Sequence, residues 1–464
     1  MSEQPKNRAL DTALQTGDCG TPRAPAYADL PEANRAHARR ERRLRGAARS
    51  RRRLGRADAH RPRFCAGDAL RAAAGRGRGG RMTMTVQLAV VPRDGLFCKD
   101  GRGWHTSASG RAHGLGWPWP STIFGALRTT WGRGEEARRG TLFGPDDWRL
   151  STSPIRLGRT LALRRVHERS WRFEDTVWPV PADALWLEGR GYVHRLNPEL
   201  PDVPTAGRDE DPAREALWRP RLPEAGKPLV PPRWWSSEAF VAWLAGQPVP
   251  ARDRDDAPAM ARRVQVHVDI RPEEVTADEG VLFSHGAIET LERNGEWAVG
   301  AEVALPDGAL PSLATLGSDA RLARVEPLPA ALFEPVAPLL EAFQSPTKGL
   351  RVVAVTPLCF QRGWLPGGLE VKDGTYRGRV PGLDHDVVVR AAFVPRPIHV
   401  SGWAMAARAP KPTSRMVAPG AVYFFERTDG QPFAEADARL LWLAALGGRT
   451  EEGFGRVVAG VWRP

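Results

Sequence analysis

The chain has little of what most enzyme and export signatures require. Its 464 residues hold only four cysteines, two of them in the first 81 residues, with no Cys-x-x-Cys and no Cys/His pair at zinc spacing. A disulfide framework and a structural zinc site are therefore not expected, and a reducing cytoplasm is the simplest compartment. No apolar run is long enough for a membrane span, and the N-terminal region lacks the apolar core of a secretory signal. There is no nucleophile elbow, no polymerase metal motif and no triphosphate loop, which would need Gly-Lys-Ser/Thr between a strand and a helix. The histidines are scattered, none at a metal-binding spacing within one element. Neither a metal nor a cofactor is expected.

What is abundant is positive charge, 47 glycines and 42 prolines. The net charge of +13 suggests a nucleic-acid binder, but its distribution weakens that reading. Residues 1–81 carry 20 Lys and Arg against 8 Asp and Glu, and the remainder is nearly balanced at 47 against 46. All 17 Trp follow residue 82. The leader thus lacks the apolar surface that would offset its ordering entropy. It reads as a solvated basic tail, an upstream extension before a natural start at Met82 or Met84, or a basic RNA-binding arm. Deleting it is expected to leave folding intact.

Beyond the leader, strand patterns at 84–92, 264–270, 297–304, 349–356, 387–394 and 421–426 alternate with helical ones. Pro120 and Ser121 open a helix whose buried stripe is Ile123, Phe124, Leu127 and Trp131. Gly125 and Ala126 suit a close crossing over a sheet. A second helix is expected over 332–343. The closing helix, from Phe433 to Ala444 with Pro432 at its first position, is expected to stop at Gly447-Gly448 and lead into a strand over 457–462. Residues 195–260, rich in proline and in both charges, read as a long connecting insertion with a short helix near Trp234 to Leu244. The pattern predicts an α+β protein of two ferredoxin-like (RRM-like) domains with long insertions, at 82–330 and 331–464.

Three stretches suit RNA. The glycine-rich loop holds Gly448, Arg449, Gly453, Phe454, Gly455 and Arg456, where missing Cβ atoms would let backbone lie against a ligand. A solvent-exposed turn is the alternative. The strip from Arg156 to Arg172, with Arg164 and Arg165, interleaves cations with aromatics as a stacking surface does. Its alternative is a solvated hairpin. The third is the loop with Lys411 and Arg415. His105 and His113 could act as acid and base on RNA, although loop histidines are more often merely solvated. Adjacent Asp146 and Asp147 suit a helix cap or turn better than a two-metal site.

In order along residues 84–464, several motifs resemble the third Cmr subunit of type III-B CRISPR effector complexes, a branch of the RAMP superfamily. They are Pro92-Arg93-Asp94-Gly95-Leu96-Phe97 with Asp100-Gly101-Arg102, Trp119 to Arg128, Gly363-Trp364-Leu365-Pro366, Ser401-Gly402-Trp403, Lys411-Pro412-Thr413, Pro419 to Phe425 and Gly453-Phe454-Gly455. The resemblance adds Arg93, Ser121, Thr122 and Arg128 to the candidate RNA-binding residues. It implies a non-catalytic subunit that holds the 5′ repeat handle of the guide RNA, touches the large polymerase-like subunit and other Cmr subunits, and meets target RNA indirectly. It also implies a thumb hairpin, at Arg156 to Arg172 or at Val275 to His285. An RNA-processing endonuclease of the same superfamily, or a structural adaptor, are the competing functions.

Overall fold

The computed structural model describes residues 83–100, 111–167, 169–201, 212–271, 276–306, 310–318, 320–404 and 409–464. The leader, His105 and the motif residues Gly101 and Arg102 lie outside them. The fold is mixed α and β, mostly strands, in two large antiparallel sheets with smaller ribbons.

The first sheet begins with β1 (Thr83–Pro92). After it come α1 (Pro120–Arg139) and α2 (Pro145–Thr152), then β2 (Arg156–Val166). Next are β3 (Thr176–Pro179), β4 (Trp234–Ser236) and α3 (Ser237–Leu244). A hairpin of β5 (Arg262–Arg271) and β6 (Thr276–Ile288) leads to β7 (Gly295–Pro306), β8 (Leu313–Leu316) and β9 (Arg321–Pro327). The sheet order is β8-β9-β1-β7-β2-β3-β4. Successive side chains of a strand face opposite ways, and β1 uses this to serve two cores. Leu88 and Val90 pack under α1 with Ile123, Leu127 and Trp131, while Ala89 and Val91 enter the larger core behind the sheet.

α1 starts at Pro120 as the sequence predicts, and ends at Gly140 in the left-handed region, where no Cβ is penalised. One expectation fails. Gly125 is exposed, and a Cβ there would meet nothing within 4 Å, so the close crossing falls to Ala126.

The second sheet follows α4 (Ala337–Ala342). This helix is shorter than the sequence pattern predicts, because Pro335 separates it from a 3-10 turn at Ala330–Phe333; a proline cannot donate the helical hydrogen bond. The strands are β10 (Gly349–Ala354), the hairpin β11 (Leu369–Lys372) and β12 (Thr375–Gly378), then β13 (Val387–Phe393). A ribbon of β14 (Ile398–Val400) and β15 (Ser414–Met416) precedes β16 (Val422–Arg427), α5 (Glu435–Leu441) and β17 (Arg456–Trp462). The order is β11-β12-β13-β16-β10-β17, with Ala444–Ala445 on the far edge of β17. The closing helix stops at Leu441, short of Ala444, since Trp442 is extended and Leu443 has φ 55°. Ala444 and Ala445 instead pair with Val457 and Arg456.

The segment between β3 and β5 is not a mere connection. Trp178 stacks on Phe240 at 4.8 Å, and Trp218 meets Trp462 edge-on at 5.9 Å. Ala182 N donates to Gly420 O at 2.7 Å, and Trp218 N to Arg390 O at 2.6 Å. These residues cap the second sheet, so one continuous core runs from Val91 through Trp178, Trp235 and Trp243 to Val352, Phe425 and Val458. α3 lies where the sequence places it, with Ser236 Oγ accepting from Ala239 N at 3.2 Å, an N-cap of ordinary kind.

Candidate nucleic-acid interface

The glycine loop closes a hairpin: Leu446 N donates to Gly455 O at 2.8 Å. It is tied to the chain after β10, with Gly448 N on Cys359 O at 2.8 Å and Gly455 N on Pro357 O at 2.9 Å. On its other side Leu157 N, at the start of β2, donates to Glu451 O at 2.8 Å. The loop is therefore the joint between the two sheets.

This placement corrects the expected role of its second half. Gly453 (φ 86°) and Gly455 (φ 84°) are buried, in a conformation that L side chains rarely adopt. A Cβ on Gly453 would stand 2.9 Å from Leu157 Cδ2 and 3.0 Å from Pro120 Cβ, and one on Gly455 would collide with Leu446 O. Phe454 is fully buried beside Val400 and Met416. The absent Cβ atoms make room for protein, not for a ligand. The exposed arc is Gly447 to Glu451, with Gly448 open to solvent.

The two loop arginines are also committed. Arg449 makes a two-pronged pair with Glu452, at 2.9 and 2.8 Å, and stacks on Phe454 at 4.7 Å. The hydrogen bond from Glu452 raises its pKa. Arg456 is 9 % exposed, and its guanidinium donates to Thr450 O at 2.9 Å. Burial pulls its pKa down to about 10, with the Glu302 charge opposing. It is still a cation at neutral pH, but it points into protein.

On segments neighbouring the exposed arc lie cations with no hydrogen bond or ion pair to a carboxylate among the described residues. Arg128, on α1, donates to Thr152 Oγ1 at 2.8 Å; burial and then the Arg156 charge lower its pKa. Arg156 reaches only the carbonyls of Ser153 and Ile155. Arg415 is exposed on β15, next to Ser414, whose Oγ lies 3.5 Å from Arg449 Nη1. Lys411 is exposed on the loop before it. Ser121 and Thr122, half-buried in the first turn of α1, lie beside Pro120 and so beside Gly453.

The remaining candidates lie elsewhere. β2 spans 11 residues, roughly 35 Å of strand, and Arg164 and Arg165 are at its far end. Arg164 pairs with Glu292 at 2.9 Å. Arg165 is 5 % exposed; it pairs with Glu296 at 2.5 Å and Glu326 at 3.1 Å and lies over Trp171 at 4.1 Å. The expected Arg/aromatic strip is thus an inner strand that turns back antiparallel onto β3, with Arg159, Arg164, Arg165 and Arg169 already paired to carboxylates. The hairpin that stands apart from both main sheets is β5–β6, with Val264, Val266, Val268 and Ile270 exposed along one face. Arg93 is exposed at the β2 far end, in a hollow of about 340 Å³ with His167, Arg293 and Arg324. Its neighbour Asp94 is structural, accepting from Gly95 N and pairing with Arg263 at 3.1 Å and Arg321 at 2.8 Å.

Of the two histidines considered for acid–base work, His113 is exposed, with its backbone carbonyl accepting from Asp100 N; His105 lies outside the described residues. Asp146 and Asp147 lie in the first turn of α2. Burial pushes the Cys98 thiol up to about 12, so it is no nucleophile at neutral pH. Among the described residues no group of three or more His, Cys, Asp or Glu could hold a metal, and no helix is long and apolar enough to cross a membrane. Sequence reading singled out neither Arg156 as a site residue nor the pair Arg233 and Arg262 described below. Their lack of acidic partners is a property of distant segments, not of spacing.

A comparison with curated proteins gives no match. Among solved structures, the chain is similar to one in a cryo-EM structure of the type III-B Cmr-beta complex bound to cognate target RNA and AMPPnP. That likeness has 12 % identity and a TM-score of 0.37, covering 73 % of this chain and 86 % of the other. A chain of the Csm3–Csm4 subcomplex of the type III-A CRISPR-Cas interference complex is similar at 9 % identity and a TM-score of 0.30, covering 75 % and 98 %. The model of the family described as CRISPR-associated protein (Cas_Cmr3) matches residues 88–462, nearly all of the folded part. The chain belongs to the Cmr3 family of CRISPR-associated proteins and is a Cmr subunit.

Proposed function

We propose that the protein is a non-catalytic guide-RNA-binding subunit of a type III-B CRISPR effector, holding the 5′ repeat handle and contacting the large polymerase-like subunit. The observation that carries this reading is the set of Arg128, Arg156, Lys411 and Arg415 on segments neighbouring the exposed arc Gly447 to Glu451, with no carboxylate among the described residues hydrogen-bonded or ion-paired to any of them. Glu452 lies within electrostatic range of Arg128. Unpaired cations beside exposed backbone suit the phosphates of a single strand. We read the two sheets as two ferredoxin-like units: both keep the strand order fourth-first-third-second, the first with only its first helix, α1, and the second with only its second, α5.

The test is handle binding by the assembled complex. Arg128→Gln with Arg415→Gln should weaken it at least tenfold, each charge-assisted hydrogen bond to a phosphate being worth about 1–3 kcal/mol. Unchanged affinity in a folded variant, with no RNA crosslinks at 447–451, would favour an adaptor instead. Specific cleavage of repeat RNA by the isolated chain, abolished by His113→Ala or His105→Ala, would overturn the non-catalytic part.

A further inference from the structure

A second basic feature lies at the foot of the β5–β6 hairpin. A pocket of about 470 Å³ is lined by Pro231, Pro232, Pro258, Met260, Trp234 and the backbone of Gly116, with Arg233, Arg254 and Arg262 at its rim. This size falls in the range of small-ligand sites. Arg254 is occupied, donating to Val230 O at 2.9 Å and touching Asp255. Arg233 and Arg262 have no hydrogen bond or ion pair to any of the described residues, and Arg233 lies over the Trp234 ring at 5.5 Å. Yet the two groups converge, for a Cβ on Gly116 would collide with Nη1 of Arg233 and stand 2.6 Å from Nη2 of Arg262. Burial and the Arg262 charge together lower the pKa of Arg233.

Both residues are exposed, and two like charges held side by side form a local positive field that an anion shared between them would relieve. A structural arginine pair would be answered by a carboxylate, as Arg159, Arg164, Arg165 and Arg169 are elsewhere in this chain. The only acidic side chain among the lining residues, Asp255, is 82 % exposed and faces Arg254. The forked donors of guanidinium fit phosphate oxygens, and the prolines and Met260 give the pocket apolar walls.

We propose that this pocket binds the phosphate of a nucleotide, clamped between Arg233 and Arg262. Three residues separate Gly116, in the pocket, from Pro120, which packs against Gly453; those four steps of chain span at most about 14 Å. A single strand crossing the exposed arc of the glycine loop would come within reach of the pocket. In that form the inference rests on the RNA-binding reading above; a free mononucleotide is the other source of the same phosphate.

The experiment uses the full chain, with Arg233→Gln/Arg262→Gln as the test variant and two probes, a labelled single-stranded octaribonucleotide and adenosine monophosphate. Removing the clamp should weaken binding of at least one probe tenfold or more, and should leave the melting temperature unchanged or raised, since a repulsion is relieved. Loss with the oligonucleotide alone identifies a strand phosphate, with a salt dependence shallower by about 0.7 log unit for each phosphate no longer neutralised. Loss with both identifies a site that also takes free nucleotide. Wild-type binding of both probes by the folded variant overturns the proposal. Arg128→Gln/Arg415→Gln in parallel separates the two failures: if that variant still loses oligonucleotide affinity, only the pocket assignment falls.

Discussion

Arg351 Nη1 lies 2.7 Å from Asp183 Oδ2, with both side chains 1 % exposed, and this pair fastens the segment after β3 to the first strand of the second sheet. Its satisfaction is nearly complete. Asp183 Oδ1 accepts from Trp243 Nε1 at 2.9 Å, and Arg351 Nη2 donates to Trp243 O and Val461 O. Removing one partner leaves the other charge buried and uncompensated. Asp183→Ala is expected to cost about 3–5 kcal/mol in denaturant unfolding. The double change Asp183→Leu/Arg351→Met should recover much of it, because apolar replacement of a buried pair is often neutral. A single variant as stable as wild type would show that the pair does not hold the segment.

Gly455→Ala should act on folding before it acts on binding. The residue needs positive φ, and a Cβ would strike Leu446 O. A loss of about 1–3 kcal/mol is expected from backbone strain alone, read as a lower melting temperature with handle affinity per folded molecule retained. Gly448→Ala, at an open position with 3.7 Å to the nearest atom, should melt as wild type. Equal melting of both variants would contradict this division of the loop.

Arg165→Ala separates a core cation from a surface one. It leaves Glu296 and Glu326 with Arg324 as their remaining cation, and it uncovers Trp171. A stability loss of about 1–2 kcal/mol is expected, with no change in the salt dependence of RNA binding, because the guanidinium has no phosphate to give up. A flattened salt slope in a stable variant would restore it to the RNA surface.

Acid sensitivity should be partly set at the end of α1. Glu135 is hydrogen-bonded by Arg138 and Arg139; the Arg138 bond is the largest effect, burial opposes it, and the carboxyl sits at about 2 against an ordinary 4.5. The folded-state value is the lower one, so this stabilisation is full above pH 4.5 and drains as pH falls towards 2. Melting curves of Glu135→Gln and wild type should therefore differ near pH 5 and converge near pH 2. A constant difference across that window would assign the loss to something other than ionisation.

Local patterns were readable in the sequence where one segment decides its own fate. Pro120 at a helix start, the apolar runs of β1 and β10, and Ser236 before α3 all act over a few residues. Even the glycine loop was legible as a turn beside the last strand. What escaped reading depends on partners far along the chain. Arg164 and Arg165 read as free cations until Glu292, Glu296 and Glu326 are brought beside them. Gly453 reads as open backbone until Leu157 and Pro120 close over it. Trp218, Trp235 and Trp243 read as part of an insertion because nothing nearby reveals the core they share with the second sheet. The unpaired cations at Arg156, Arg233 and Arg262 were hidden for the same reason: a missing partner is a fact about the whole fold.

The position of β17 has a consequence for how the protein is made. Every residue of Arg456–Trp462 is buried, and the strand lies between β10 and Ala444–Ala445. A nascent chain that has just completed β10 must wait for residues 456–462 to leave the ribosome before that edge is paired. At about 5–20 residues per second, the wait is several seconds or longer. Throughout it, the edge carrying Leu350, Val352 and Val353 is a bare template for other growing strands. The yield of folded protein should accordingly depend on chaperone supply and translation speed more than the stability of the finished core would suggest.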